Sequence, residues 1–211
     1  MYNLKCSIIC SSKDISPKLL SEIKKDGDFI ICADGGLKTA RSAGIIPDLF
    51  VGDMDSQKEE PLDVKEKIFF PADKDLTDSH IAVCEALKRG YKDIFIFGGT
   101  GGRLDHEYAN YCLLKYILKN GGFGRIVNEN NIIYMTNIPM KISSLGMKYI
   151  SFFPFGGDVE DFSVKNVKYE LEYYTLTDSD TYTTSNEFID NKPAEISLKN
   201  GFVLIICSRD S

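Results

Sequence analysis

Asp53 and Asp55 stand two residues apart in LFVGDMDS (49–56), directly after an apolar run. In extended backbone, side chains at i and i+2 share a face, with Cα atoms roughly 6–7 Å apart. Both carboxylates can therefore address one charged partner. Three more apolar runs lead into acids. FIICA (29–33) precedes Asp34-Gly35-Gly36, IFF (68–70) precedes PADKDLTD with Asp73, Asp75 and Asp78, and IFIFG (94–98) precedes GTGGRLDH with Arg103 and Asp105. If the runs are parallel strands, these acids all leave from one edge of the sheet. Like charges gathered there repel one another at short range, and such a cluster calls for a cation. Hard divalent ions take oxygen ligands; Mg²⁺ held by a few carboxylates plus substrate phosphates fits this set best.

The glycine segment GGTGGR (98–103) is neither a Walker P-loop nor GxGxxG, because Leu104 occupies the place of the last glycine. Glycines between a strand and a helix still present backbone N–H groups to an anion, here from Gly99, Gly101 and Gly102. Arg103 beside them can hold a phosphate bidentately, or pair with Asp105 instead. Local roles also stand open for the acids: Asp34 in a turn, Thr77 or Asp78 as a helix N-cap, Asp105 as another cap. An EF-hand is excluded, since Lys58 stands where its loop needs glycine.

The elements that must position these groups follow from periodicity. LKCSIIC (4–10), FIICA, LFVG (49–52), IFF, IFIFG and RIVNEN (125–130) read as strands, several of them apolar without alternation. Helical patterns cover 16–25, opened by Ser16 and Pro17, then 77–89 ending at Gly90, and 105–119 ending at Gly121-Gly122. This order predicts a doubly wound, Rossmann-like α/β domain over residues 1–136. From 137 onward the runs are short, broken by Gly, Pro, Asn and Asp, and partly alternating; residues 137–211 predict a small all-β sandwich.

Composition bounds the function. The chain has 211 residues, a hydrophobic fraction of 43% and a net charge of −6, so no sequence-wide attraction draws it to nucleic acid or anionic membrane. No stretch approaches the roughly 18 apolar residues of a membrane span. The N-terminus reads as a buried strand rather than a signal peptide. Six cysteines without CxxC spacing, mostly inside apolar runs, and only two histidines predict reduced core thiols, no zinc site and a cytoplasmic location. The DMD triplet alone also suits a nucleotide-sugar glycosyltransferase, but that leaves DKDLTD and GGRLDH unexplained. A dehalogenase-type phosphatase wants Thr or Val where Gln57 stands. A non-catalytic nucleotide sensor has no need of so many acids.

Taken together, ADGG (33–36), PDLFVGDMDS (47–56), DKDLTD (73–78), GGTGGRLDHEYAN (98–110) and TSNEF (184–188) closely resemble thiamine pyrophosphokinases of the bacterial branch over essentially the whole chain. The resemblance implies an ATP-binding α/β domain, a thiamine-binding and dimerising β-sandwich, and a homodimer with active sites shared between subunits. The implied reaction moves the β,γ-pyrophosphoryl group of ATP to the hydroxyethyl oxygen of thiamine, giving thiamine diphosphate and AMP. It makes Asp34, Asp53, Asp55 and Asp78 a magnesium and phosphate cluster, with Asp53, Asp55 and Asp78 as the metal ligands. Thr77, Arg103 and Asp105 become further nucleotide or thiamine contacts, beside Gly35, Asp75, Gly99, Gly101 and Gly102. Ser185 and Asn186 become contacts to the thiamine pyrimidine. Two departures stand out. His80 replaces an acid that many relatives carry, and with no tryptophan in the chain, Tyr169 is the candidate aromatic in its place.

Overall fold

FIICA and LFVG contain no charged residue, and the computed structural model buries them almost throughout as strands β2 (Phe29–Ala33) and β3 (Leu49–Gly52). The structure describes residues 4–12, 15–23, 28–53, 64–71, 75–189 and 192–210. Contacts divide the chain into two units, residues 1–129 and 130–211.

In the first unit, β1 (Lys5–Ile9) pairs in parallel with β2 and with β5 (Asp93–Phe97); β2 pairs with β3, β3 with β4 (Glu66–Phe69), and β5 with β6 (Phe123–Val127). Helices α1 (Pro17–Ile23), α2 (Gly36–Ser42), α3 (Asp78–Lys88) and α4 (Leu104–Lys119) connect them. Ser16 caps α1 through Oγ, which accepts the N–H of Leu19 at 3.1 Å. Thr77 caps α3 by accepting the N–H of His80. Gly90 and Gly121 end α3 and α4 with φ of +88° and +72°, the left-handed region that glycine enters at no steric cost. On α4, Leu113, Leu114 and Ile117 form the buried stripe; each such side chain contributes about 2 kcal/mol by leaving water.

Helix α2 is absent from the helical pattern of the sequence. It has seven residues, opens on glycine and lacks a side-chain cap. Packing rather than propensity holds it, because Leu37 and Ala40 are fully buried. A Cβ on Gly36 would lie 1.9 Å from the carbonyl oxygen of Ile9. Gly36→Ala should therefore destabilise the protein by about 3 kcal/mol or more, read as a lower denaturation midpoint; an unchanged midpoint would show that α2 can shift away.

In the second unit, β7 (Asn131–Thr136), β9 (Tyr149–Pro154), β12 (Asn186–Glu187) and β14 (Val203–Ser208) pair antiparallel in the order β12-β9-β14-β7. A second antiparallel sheet has the order β11-β10-β13-β8, from β8 (Met140–Ile142), β10 (Val159–Lys165), β11 (Leu171–Leu176) and β13 (Ala194–Ser197). Phe152 and Phe162 meet between the two sheets at 5.1 Å.

The expected doubly wound, Rossmann-like domain is corrected. The first unit's strands lie in the order β6-β5-β1-β2-β3-β4 and run parallel, while the second unit's lie in the orders β12-β9-β14-β7 and β11-β10-β13-β8 and run antiparallel, so the chain's strands are mixed in direction. Among the described residues strands outnumber helices fourteen to four, and the fold is sandwich-like. Three of the four described helices fall where the periodicity predicts them, but an apolar run does not reveal which sheet it joins or whether its neighbour runs antiparallel. NIIYMT (131–136), the strand β7, has no place in the sequence reading at all.

Candidate active site

Asp34 leaves β2 in a left-handed conformation, with φ of +46°. Its N–H donates to the carbonyl of Val51 at 2.8 Å, and its own carbonyl accepts the N–H of Leu37, so both neighbouring elements hold the turn. Its Oδ1 is buried and has no hydrogen-bond partner among the described residues. An unpaired buried carboxylate oxygen is costly, and a cation or donor there removes the cost.

Asp34 lines a cleft of about 330 Å³, together with Thr77, Asp78, Gly99, Gly102 and Arg103. Six of the sequence candidates thus meet in one place within the first unit. Asp53 follows β3 directly and is partly buried, while Asp75 is exposed. Asp55 and Asp73 lie outside the described residues. Gly102 has neither positive φ nor any atom within 4 Å of an added Cβ, so nothing in the fold requires glycine there. Gly99 is different, because an added Cβ would press on Ile126 at 3.0 Å.

Arg103 and Asp105 form a two-pronged pair, Nε to Oδ1 at 3.1 Å and Nη2 to Oδ2 at 2.5 Å. The guanidinium lowers the Asp105 carboxyl to about 2, chiefly through these hydrogen bonds. The side chains are 74% and 62% exposed, so solvent screens the pair and it contributes little to stability. The N–H of Gly101 is also taken by a carboxylate, donating to Glu107 Oε2 at 3.3 Å. Glu107 in turn accepts the hydroxyl of Tyr111 at 2.5 Å. Burial, then the adjacent Glu107, raises the Tyr111 hydroxyl well above its ordinary range.

The loop is tied down from behind. Thr100 is buried; its carbonyl accepts the hydroxyl of Ser12 at 2.9 Å, and its hydroxyl accepts the amide of Asn128 at 2.7 Å. Asn110, also buried, donates to the carbonyl of Gly99 at 2.9 Å and accepts the hydroxyl of Ser79 at 3.0 Å. Ser79, Glu107 and Asn110 line the cleft, and the sequence reading missed them. One signal was there: Asn110 shares its helical face with Leu113, Leu114 and Ile117, a polar residue on an apolar stripe.

His80 is partly buried and meets Tyr116 edge-on at 4.9 Å. Burial lowers its pKa from the ordinary 6.5. The fold thus favours the neutral ring: this contribution is full above pH 6.5 and fades as pH falls through the lowered folded-state value. Between pH 7.5 and 5, wild type should lose more Tm than His80→Phe; parallel losses would remove His80 from the acid sensitivity.

In the second unit, Tyr169, Ser185 and Asn186 lie close together. Asn186 is buried, and its amide brackets the backbone of Tyr169, accepting its N–H at 3.0 Å and donating to its carbonyl at 2.7 Å. Tyr169 itself is 60% exposed. Ser185 has φ of +59° and donates its N–H to Ser151 Oγ at 2.9 Å.

A cleft that sets Asp34, Asp78 and Arg103 between a glycine loop and the start of a helix suits an enzyme that handles phosphate groups. The family model for the thiamin pyrophosphokinase catalytic domain matches residues 20–122, and that for the thiamin pyrophosphokinase vitamin B1 binding domain matches 137–203. The thiamine pyrophosphokinase of Bacillus subtilis (strain 168) is 34% identical over 189 residues, covering 85% of this chain and 87% of that protein. A crystal structure of thiamine pyrophosphokinase from Bacillus subtilis superposes with a TM-score of 0.85 at 29% identity, over 98% of this chain and 100% of that one. One from Geobacillus thermodenitrificans gives 0.84 at 26%, over 98% of each chain. The chain belongs to the thiamin pyrophosphokinase family and has its activity, transfer of the pyrophosphoryl group of ATP to thiamine.

Proposed function

We propose that the cleft of the first unit holds the polyphosphate of ATP. The observation that carries this reading is the buried Oδ1 of Asp34, without a partner among the described residues, beside the glycine loop and the start of α3. Magnesium fits the site: the donors offered are oxygens, and the orphaned carboxylate oxygen suits a hard cation. Asp53, Asp55 and Asp78 would hold it, with Asp34 beside them. When bound, the ion neutralises phosphate charge that would otherwise repel these acids.

Arg103 exchanges Asp105 for a phosphate oxygen and stabilises charge on the transferred group. Gly99 and Gly102 give the phosphates backbone room and N–H groups, Gly101 adds its own by exchanging Glu107 for a phosphate oxygen, and Gly35, Asp75 and Thr77 complete the nucleotide contacts. Tyr169, Ser185 and Asn186 contact thiamine, with Asn186 setting the backbone that carries Tyr169. The hydroxyethyl oxygen of thiamine forms a bond to the β-phosphorus, the bond to the α-phosphate oxygen breaks, and AMP leaves. Asp78 or Asp105 accepts the hydroxyl proton. Residues 1–136 act as the catalytic domain and 137–211 as the thiamine-binding and dimerising domain of a homodimer whose active sites lie at the subunit interface. Among the described residues no helix is long and apolar enough to cross a membrane, and we assign the enzyme to the cytoplasm. A coupled AMP-release assay with ATP, Mg²⁺ and thiamine tests the reading. Release should require all three; release without thiamine would overturn it.

A further inference from the structure

The hydrogen bonds around Asn110 have only one consistent direction. The Gly99 carbonyl can only accept, so the amide nitrogen of Asn110 must face it, at 2.9 Å. The other end of that amide is then Oδ1, an acceptor, and it lies 3.0 Å from the hydroxyl of Ser79. Ser79 has one hydroxyl hydrogen, and Asn110 takes it. Ser79 therefore accepts from Thr77, whose Oγ1 lies 3.1 Å away. Thr77 has given up its only hydroxyl hydrogen, and one of its lone pairs receives the N–H of His80 at 3.3 Å.

From this we infer that Asn110 is a positioning residue that fixes the polarity of Thr77 through Ser79. Thr77 lines the cleft with a lone pair and no hydrogen to offer. It cannot donate to a phosphate oxygen. It can accept from a donor, such as water bound to a cation. The same amide ties the Gly99 carbonyl to α4, so one buried side chain sets both the loop and the hydroxyl. Buried polar relays of this kind keep their direction because any reversal strands a donor or an acceptor away from water.

The inference rests on the cleft being the nucleotide end of the site, and the test separates the two. Thr77→Val, Ser79→Ala and Ser79→Thr are compared with wild type. The measurements are Tm, KM for Mg–ATP and for thiamine, and calorimetric binding of a non-hydrolysable ATP analogue with Mg²⁺. Ser79→Ala leaves Asn110 on the loop but frees the Thr77 hydrogen. It should weaken analogue binding and raise KM for Mg–ATP about tenfold, with KM for thiamine within about twofold, while Tm falls modestly because the buried Oδ1 of Asn110 loses its donor. Ser79→Thr keeps the hydroxyl and should restore wild-type values. If Thr77→Val weakens the nucleotide and Ser79→Ala does not, the relay is wrong while the cleft assignment stands. If neither weakens it, Thr77 takes no part in holding the nucleotide and the inference falls, while binding of the analogue to wild type still decides the cleft assignment. A loss shared equally between both substrates and matched by a lower Tm would make Ser79 merely structural and overturn the inference.

Discussion

In an Asp78→Asn variant, thiamine-dependent AMP release should fall about a thousandfold, roughly 4 kcal/mol of barrier. Asp78 is partly buried, opens α3 and lines the cleft. Its charge also favours the positive end of that helix, and losing it there costs only about 0.5 kcal/mol. Rate and stability should therefore separate by several kcal/mol. The substitution keeps the shape and removes the charge, so a folded but nearly silent enzyme is expected, and Asp55→Ala should behave alike. Activity within tenfold of wild type at saturating Mg²⁺, with an unchanged Tm, would remove Asp78 from the metal and phosphate cluster.

Arg103→Lys should lower turnover at least tenfold, about 1.4 kcal/mol, without a measurable change in Tm. The guanidinium grips Asp105 with two parallel bonds, and that fork is what it would present to phosphate. An ammonium keeps the charge but is a single point. Stability should not move, because the pair is exposed on both sides. A drop in Tm equal to the drop in rate would mark the pair as structural, and an unchanged rate would rule out two-pronged contact with phosphate.

Much of the candidate cleft was legible because several of its residues are written at strand ends. Asp34, Asp78 and Arg103 each come after an apolar run, and all three line one cleft. Helix starts were legible for the same local reason: Ser16 and Thr77 cap the helices they precede. What failed depended on contacts distant in the chain. Helix α2 exists because Gly36 lets it approach Ile9, which no local pattern announces. TYTTSNEFI (181–189) carries strand-forming residues, yet only Asn186–Glu187 pairs as strand, and Ser185 turns left-handed before it. The doubly wound reading failed at the same level, since pairing partners in a sheet are set by tertiary fit rather than by the run itself. Asn110 falls inside GGTGGRLDHEYAN, yet its worth lies in Ser79, 31 residues away, which no local pattern shows.

Asp34 burdens the fold twice. A non-glycine residue held at φ of +46° costs on the order of 1 kcal/mol, and a carboxylate oxygen is buried without a partner among the described residues. Neither favours folding by itself. A nucleotide complex that engages this oxygen binds the folded form alone and returns stability as RT ln(1 + [L]/Kd), about 2.7 kcal/mol at a hundred times Kd. In a cell, where unfolded chains are continuously degraded, the amount of this enzyme would then follow the supply of its own substrate, with no change in its synthesis.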